Sequence, residues 1–515
     1  MNRMRGIAAL LVAGLLVHPP ARADERAELE GLRNTTLNLI KLLVSEGVLT
    51  QEKANALIKQ AEEAAAAPGE SKPATVRVPY VPEVVKQEIK EQLREEVMAQ
   101  AKSERWASPG SFPSWASGLS LYGDLRFRYQ SDLLDPNNAP AVFFQALGQN
   151  INNTTEDRDR MRLRGRLGLI AKLGDTVEAG LGVSTGTVGS TGNPVSTNNT
   201  LGDYLNRQAA GIDLAYMQWE PLYWLRLTGG RFRNPFLHSD LVWAPDLNFD
   251  GATMSLRPRF TEALQGIFTA GAFPLKDTEP SPTNTTIKNK WLYGAQAGFE
   301  YLPAGGSSLK AGVGLYDYNN VEGIPNSGVA GTPQASLFDW TAPSFRQKGN
   351  SMFPISVFGA PTTLYGLASK FRTVNLTGEL DIARYYPIHV TLLGDYAKNV
   401  GFDRNEIFRR TGGLDLEPQV NAWQLRLQVG HKKIEREYDW FVFGGYRRIE
   451  RDAVLDAFND GDFHLGGTNA KGWQLGGGIG VARNAWIGLR YMTANQVSGP
   501  PLAIDVFQLD FNAKF

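Results

Sequence analysis

The chain has 515 residues, with 53 basic and 53 acidic side chains, 54 glycines and no cysteine. The balanced charge excludes nucleic acid as the main partner, because a phosphate-binding chain needs a basic excess. The absence of cysteine excludes disulfides, thiolate metal sites and cysteine nucleophiles. The five histidines form no pair at the i, i+4 spacing of a helical zinc site. The sequence therefore predicts no metal and no cofactor.

The first 23 residues have the pattern of a secretory leader. Arg3 and Arg5 precede an apolar run that ends at Val17, and a small-x-small site follows at Ala21–Ala23. The run is too short to span a membrane, and the three parts together are typical of a cleaved signal peptide at 1–23. We therefore expect an exported protein.

Residues 24–105 are predicted to be helical and periplasmic. Leucines at helical spacing indicate a helical segment over 24–67, and the proline-containing stretch 68–82 indicates an extended linker. A second helix over 83–105 carries one narrow apolar stripe at i, i+4 steps, formed by Val85, Ile89, Leu93 and Val97. A narrow stripe on a charged helix needs a partner, which favours a helical pair or a coiled coil. Two roles are open for it: trimer assembly, and attachment to peptidoglycan or another periplasmic partner.

From Gly118 onward the apolar period changes to two, the period of β-strands. In Arg160–Leu173 the even positions carry mainly basic side chains and the odd positions mainly apolar ones. Sixteen segments are predicted as strands: 118–130, 160–173, 176–187, 211–220, 223–232, 249–258, 264–274, 291–302, 308–318, 371–384, 388–399, 420–433, 438–450, 471–483, 485–497 and 503–515. Residues 353–370 have a second interpretation, as an additional hairpin.

The links between these segments alternate between long and short, apart from the brief final link at 498–502. Long loops on one rim and tight turns on the other are typical of an outer-membrane barrel, whereas a soluble sandwich gives no reason for the alternation. The sequence therefore predicts an all-β transmembrane barrel of about sixteen antiparallel strands over 118–515.

Two further features favour a barrel. Aromatic residues adjoin the short turns, as expected of a girdle at the lipid headgroups; they are Trp219, Tyr223, Trp224, Phe260, Tyr301, Tyr385, Tyr386 and Trp486. The last segment alternates apolar and polar residues and ends at Phe515, which resembles the sorting signal of outer-membrane barrels.

Several segments resemble the putative porin family of Gram-negative bacterial outer membranes. They are LVSEGVLTQEKANALI (Leu43–Ile58), VRVPYVPE (Val76–Glu83), RDRMRLRGRLGL (Arg158–Leu169), LTGGRFRNPF (Leu227–Phe236) and LVWAPDLNFDG (Leu241–Gly251). The resemblance covers essentially the whole mature chain. It implies a porin, but it implies neither a substrate nor catalytic residues.

The residues on the polar face of each strand are predicted to line the lumen, since sixteen strands leave an aqueous channel. The basic ones are Arg126, Arg128, Arg160, Arg162, Arg164, Arg166, Arg226 and Arg426, with Lys172, Arg257, Lys310 and Arg490. The acidic ones are Glu379, Asp381 and Asp395, with Asp124, Glu178, Glu300 and Asp510. In a ring of sixteen, Glu379, Asp381 and Asp395 stand across the lumen from the arginine-rich second strand, which predicts a transverse field. The basic excess favours anions. The alternative is that the arginines pair with loop carboxylates such as Asp240, Asp246 or Asp250.

The third long link, 233–248, is predicted to narrow the pore, as the corresponding loop does in sixteen-stranded general porins. The candidate constriction residues are Phe236, Asp240, Trp243 and Asp246. An outer surface loop or a trimer contact is the alternative. For the longest link, 319–370, a lid, a variable surface loop and a mobile loop all fit its glycine- and proline-rich composition.

The predicted function is that of a porin for passive diffusion of ions and small hydrophilic solutes, with a preference for anions. We expect a homotrimer in outer-membrane lipid. An enzyme is not expected, because His238, Ser239 and Asp240 adjoin in sequence without a nucleophile elbow. The alternative function is a structural tether between the outer membrane and the cell wall, with the barrel as a plug.

Overall fold

The structure is a computed structural model that describes residues 118–189, 192–282 and 284–515. The predicted signal peptide, the helical segments 24–67 and 83–105 and the linker 68–82 lie outside these residues.

Sixteen antiparallel strands form the barrel. They are β1 (Leu119–Leu134), β2 (Arg158–Leu173), β3 (Val177–Thr185), β4 (Ala210–Leu222), β5 (Leu225–Arg233), β6 (Asn248–Leu256), β7 (Leu264–Lys276), β8 (Lys290–Tyr301), β9 (Ser308–Asn319), β10 (Arg372–Tyr385), β11 (Ile388–Asn399), β12 (Asn421–His431), β13 (Trp440–Ile449), β14 (Ala470–Ala482), β15 (Ala485–Gln496) and β16 (Ala503–Lys514). Each strand pairs with its neighbours in chain order, and β1 also pairs with β16, so the sheet closes. A two-residue strand, Asn199–Thr200, pairs with β2.

This architecture confirms the predicted closed barrel and its strand number. Each predicted segment coincides with one strand, and the largest difference is at β1, which continues to Leu134. The stretch 353–370 adds no strand to the barrel wall. Met352–Pro354 and Tyr365–Leu367 instead pair as a separate two-stranded sheet inside a long loop.

The alternation of side chains sets the two faces of the wall. On β2, Met161 and Leu167 point outward and are 55% and 45% exposed, whereas Arg162 and Arg164 between them point inward. The same outward exposure recurs around the barrel, for example at Leu125, Leu181, Met217, Val313, Leu376, Leu425, Leu475 and Phe511. An apolar outer face suits a bilayer, where a closed sheet satisfies its own backbone hydrogen bonds.

The long links are gathered at one end of the barrel. They span 135–157, 186–209, 234–247, 277–289, 320–371, 400–420 and 450–469, and tight turns join the strands at the other end. In outer-membrane barrels the long-loop end faces the outside of the cell. Two short α-helices, α1 (Ala141–Ala146) and α2 (Arg404–Thr411), and three 3-10 turns, Pro333–Ser336, Asp339–Thr341 and Phe463–Leu465, lie in these loops.

Helix α2 illustrates how the loops are ordered locally. The Asp403 side chain accepts hydrogen bonds from the backbone amides of Asn405 and Glu406 at 3.0 Å, which caps the first turn. Gly412 ends the helix in the left-handed conformation, with φ of 75°. No helix in the described part of the chain is long and apolar enough to cross a membrane.

The C-terminal residue completes the closure of the barrel. The backbone amide of Gly123 on β1 donates to the carbonyl of Phe515 at 3.0 Å, and the amide of Phe515 donates back at 3.1 Å. The Phe515 ring covers Gly123 so closely that an added Cβ would lie 2.3 Å from ring atom Cζ. Gly123 is therefore required for the terminal ring to sit against β1.

The largest apolar cluster lies inside the barrel, where loops pack against inward side chains. Trp243 is 1% exposed and its ring meets those of Phe249 at 5.0 Å and Tyr316 at 4.9 Å, both edge to face. Such aromatic pairs add about 0.5–1.5 kcal/mol each beyond the area that they bury. The loops therefore fill part of the lumen.

Candidate pore lining

The inward arginines of β1 and β2 form a continuous basic surface. We call Arg126, Arg128, Arg160, Arg162, Arg164 and Arg166 the basic wall. Register places Arg126 opposite Arg164 and Arg128 opposite Arg162. Like charges at opposed positions of a sheet repel. Which guanidiniums pair with a carboxylate therefore decides which of them can attract an anion from solution.

Arg128 is compensated by two carboxylates. It makes a bidentate pair with Asp510 of β16, at 2.6 and 2.8 Å, and a further contact with Asp462 at 3.1 Å. Asp462 also contacts Arg490 of β15. Since Asp462 belongs to loop 450–469, these contacts fasten that loop to the wall.

A second carboxylate fastens another loop to the wall. Arg164 and Arg166 share Asp124, at 2.8 and 2.7 Å, and both also contact Asp246 of loop 234–247, at 3.5 and 3.3 Å. Burial raises the pKa of Asp246, but the surrounding arginines outweigh it and hold the pKa below its usual range. Asp246 therefore stays ionised and keeps the loop attached.

Two members of the wall have no carboxylate partner among the described residues. Arg126 donates from Nη2 to Oδ1 of Asn198 at 2.6 Å. Arg162 donates to Oε1 of Gln130 at 3.0 Å and to Oγ of Ser196 at 3.4 Å. Arg160, by contrast, forms an ion pair with Asp132. Carboxylates act on these two guanidiniums only without direct contact, Asp246 and Asp510 on Arg126 and Asp462 and Asp132 on Arg162. Arg126 and Arg162 are therefore the least compensated members of the wall.

A polar cavity of about 520 Å³ lies against this part of the wall. Its basic lining comes from Arg126, Arg158, Arg160, Arg162, Arg164, Arg346, Lys348 and Arg490, and its acidic lining from Asp132, Asp246, Asp460 and Asp462. The acidic groups belong mainly to loops, and all but Asp460 contact arginines of the wall or of β15. The lining therefore carries an excess of positive charge.

Loop 234–247 crosses the interior of the barrel. Leu237 exchanges two backbone-to-side-chain hydrogen bonds of 2.7 Å with Gln296 on β8. Ser239 donates to Asp395 on β11, and Asp246 reaches β2 as described. The loop thus touches strands on different sides of the barrel, as expected of a loop folded inward rather than over the outer surface.

The candidate constriction residues have two kinds of surroundings. Phe236 and Trp243 are buried in the apolar cluster and do not line the cavity. Asp240 lies 2.6 Å from the buried guanidinium of Arg447 on β13, and Asp246 lines the cavity. Of the four residues, only Asp246 lines the cavity, and the other three help to hold the loop in place.

The other predicted lining residues lie away from the cavity. Asp381 contacts Lys432 at 2.6 Å and His389 at 2.8 Å, and Asp395 is enclosed by Ser239 and Asn375. Glu379 stands beside Lys310 in the sheet register. Arg226 pairs with Glu220 at 2.6 Å, and Arg426 lies 4.0 Å from Asp240. The acids that contact the basic wall come from β1, β16 and two loops instead of from β10 and β11.

Loop 450–469 is the part of the lining that the sequence pattern did not single out. Asn350, which is fully buried, donates to the carbonyls of Arg451 and Val454 at 2.7 and 2.9 Å and accepts from the amide of Asp456 at 2.8 Å. Lys348 contributes its ammonium to the carbonyls of His464 and Gly466. Loop 320–371 thereby holds loop 450–469 inside the barrel. The only signal in the sequence is the spacing of four aspartates at 452, 456, 460 and 462.

The buried Asp456 gives the inner loops a pH dependence. Burial raises its pKa from 3.8 to about 7. The folded chain then holds a proton that the unfolded chain loses between about pH 4 and pH 7, so the free energy of unfolding falls as the pH rises through this window. Asp456→Asn removes this dependence. We expect the urea midpoint in detergent to fall more in the wild type than in Asp456→Asn between these pH values.

The matched control for this prediction is Asp277→Asn, which changes an exposed loop carboxylate. It should follow the wild-type curve. Parallel curves for the wild type and Asp456→Asn would contradict the assignment of the pH dependence to this group.

Three solved structures are similar to this chain in fold. OprB of Pseudomonas putida at high pH is 12% identical, with a TM-score of 0.45, and the match covers 78% of this chain and 95% of that one. The outer membrane channel DcaP of Acinetobacter baumannii is 11% identical, with a TM-score of 0.40 and coverage of 77% and 97%. OmpF of Salmonella typhi in complex with daunomycin is 9% identical, with a TM-score of 0.40 and coverage of 78% and 99%.

The sequence comparison identifies the family. No curated protein matches the chain significantly. The family model described as "Putative porin" matches residues 33–515, which includes the whole described barrel. The chain therefore belongs to the putative porin family, as its sequence segments indicated.

Proposed function

We propose that the protein forms a water-filled channel in the outer membrane for passive diffusion of ions and small hydrophilic solutes, with a preference for anions. The observation that carries this proposal is the cavity beside the basic wall, where Arg126 and Arg162 form no ion pair with a carboxylate of the described residues. Rings and ladders of charged side chains set ion selectivity in pores. The uncompensated guanidiniums would raise the local concentration of anions and lower that of cations.

Planar-bilayer recording of the purified protein tests whether the channel is open. Stable current steps in KCl, absent with heat-unfolded protein, are the expected result. A silent bilayer from protein that retains its heat-modifiable mobility on gels would overturn the proposal, because it would indicate a plugged barrel.

Family and fold point to a channel and not to an enzyme. The adjacent His238, Ser239 and Asp240 do not assemble a catalytic triad. The His238 ring nitrogen Nδ1 contacts the carbonyl of Phe236 at 2.8 Å, and Ser239 donates to Asp395. Asp240 pairs with Arg447 instead of with His238.

We further propose that the chain forms a homotrimer and that residues 24–105 promote its assembly in the periplasm. The support is the narrow apolar stripe of 83–105, which needs a partner. A shortened chain that begins at Ala107 should fold into the barrel but run as a monomer on cross-linking. If the shortened chain forms trimers in the same yield as the full chain, the assembly role is contradicted.

The alternative role for the same residues is a tether to the cell wall. It predicts that the full chain sediments with isolated peptidoglycan and that the chain beginning at Ala107 does not. Equal sedimentation of both chains would contradict the tether.

A further inference from the structure

We propose that Arg126 and Arg162, which form no ion pair within the described residues, form a binding site for a tetrahedral dianion, a phosphate- or sulfate-type group that is either free or carried by a small organic molecule. We call Arg126, Arg162, Ser196 and Asn198 the anion pocket. The inference rests on the proposed channel function and names the class of solute that its lining favours.

The first argument is charge. The neighbours of the pocket along the wall, Arg128 and Arg164, each contact two carboxylates. Arg126 and Arg162 have only neutral hydrogen-bond partners among the described residues. Carboxylates act on these two guanidiniums only without contact. One dianion can make charge-assisted hydrogen bonds to both, whereas a chloride ion brings a single charge to the pair.

The second argument is spacing. Because Arg126 is opposite Arg164 and Arg128 is opposite Arg162, Arg126 and Arg162 are diagonal neighbours on the same face. Diagonal neighbours in an antiparallel sheet stand about 7–8 Å apart. A compact tetrahedral group can accept hydrogen bonds from both guanidiniums at this separation. A dicarboxylate divides its charge between two separate groups and cannot concentrate it on the point between the two guanidiniums.

The third argument is the neutral bridge between the two arginines. Asn198 accepts from Arg126 and donates from Nδ2 to Oγ of Ser196 at 3.0 Å, and Arg162 donates to the same Ser196 oxygen. With its oxygen engaged as an acceptor, the Ser196 hydroxyl has its hydrogen left to donate. No acceptor for that hydrogen occurs within the described residues, so an oxyanion oxygen would supply one.

The pocket is also held in place from both sides. Asp462 fastens loop 450–469 to Arg128, and Asp246 fastens loop 234–247 to Arg164. Asp246 in addition accepts from the amide and hydroxyl of Thr197, at 3.2 and 2.9 Å, between the two bridging residues. The bridge is therefore ordered before any solute arrives, which lowers the entropy cost of binding.

Two measurements on the full chain test the pocket. The first is inhibition of the chloride current in planar bilayers by sulfate, by glycerol 3-phosphate and by succinate at matched ionic strength. Sulfate represents the free dianion, glycerol 3-phosphate the organic carrier, and succinate a dianion of extended shape. The second is calorimetric titration of the detergent-solubilised protein with the same three solutes, which needs no conduction.

We expect sulfate and glycerol 3-phosphate to inhibit the current and to bind, and succinate to do so at least several-fold more weakly. Arg126→Gln and Arg162→Gln should each weaken inhibition and binding by about tenfold, the effect of losing one charge-assisted interaction. The control Arg436→Gln, an exposed residue in a short turn, should leave both unchanged. Preference for glycerol 3-phosphate over sulfate would assign the site to organic phosphates, and the reverse to free anions.

Chloride current with no inhibition and no heat of binding would overturn the pocket while the channel function stands. Succinate acting as strongly as sulfate would overturn the tetrahedral preference. Binding that weakens in the two arginine variants, from a protein that carries no current, would support the pocket and overturn the channel function.

Discussion

Replacing Arg447 by alanine should lower the free energy of unfolding by about 3–5 kcal/mol, the cost of breaking a buried ion-pair network. Arg447 is fully buried on β13 and lies 2.6 Å from Asp240 and 3.0 Å from Asp460. It also donates to Gln424 at 2.8 Å. Because Asp240 belongs to loop 234–247 and Asp460 to loop 450–469, one side chain anchors both loops, and its loss leaves two buried carboxylates without their main partner.

The same change should alter conduction. Loops released from the lumen widen the path, so single-channel current should rise and become noisier in Arg447→Ala. Urea titration in detergent and bilayer recording measure the two effects. The matched control is Arg448→Ala, the next residue on β13, whose half-exposed side chain pairs with Glu450 at 3.3 Å. A surface pair of this kind contributes about 0–1 kcal/mol. Equal effects of the two variants would contradict the anchoring role of Arg447.

Replacing both Arg126 and Arg162 by glutamine should shift the zero-current potential in a KCl gradient toward that of a cation-preferring channel. The reason is that these two guanidiniums are the members of the basic wall that form no ion pair within the described residues, so their removal leaves a wall whose remaining arginines are matched by carboxylates. Glutamine keeps a polar side chain, and the loops should stay attached because Arg128, Arg164 and Arg166 hold them.

The matched control for selectivity is Arg436→Gln, which removes an exposed arginine at the short-turn end of the barrel. It should leave the zero-current potential close to that of the wild type. At 1 M salt the double variant and the wild type should have the same zero-current potential. The Debye length is then about 3 Å, so the charge of the two arginines is screened. An unchanged potential in the double variant at low salt would refute the role of these arginines in selectivity.

The barrel was predictable from the sequence because each strand shows its pattern within a run of consecutive residues. A strand repeats every two residues, so the alternation in Arg158–Leu173 identifies both the strand and its two faces before any partner is known. Loop lengths then supply the order of strands, because tight turns allow only antiparallel neighbours. The inward path of loop 234–247 was inferred from its position as the third long link and from the family resemblance.

The partners of the inward charges were not predictable in the same way. Asp462 meets Arg128, and Asn350 meets Arg451, across large separations in the chain, and no periodic pattern links them. Loop 450–469 has no strand or helix repeat that would indicate its place inside the barrel. Alternation likewise placed Asp395 on an inward face but gave no sign that Ser239 would enclose it.

The carboxylate partners seen in the structure change the interpretation of the arginines on β1 and β2. From the sequence, the arginines are either a selectivity surface or a set of structural ion pairs. The structure divides them: Arg128, Arg164 and Arg166 hold loops through Asp462 and Asp246, whereas Arg126 and Arg162 remain without a carboxylate in the described part of the chain. The ion-pair interpretation therefore holds for the first three residues, and the proposed selectivity role falls to Arg126 and Arg162.

The most direct test of the proposed anion-preferring channel is the zero-current potential of the purified wild-type protein in a planar bilayer with a KCl gradient at low ionic strength. We expect stable current steps and a potential whose sign marks chloride as the more permeant ion. A potential of the opposite sign, or one of zero, would contradict the anion preference, and a bilayer without current would contradict the channel itself.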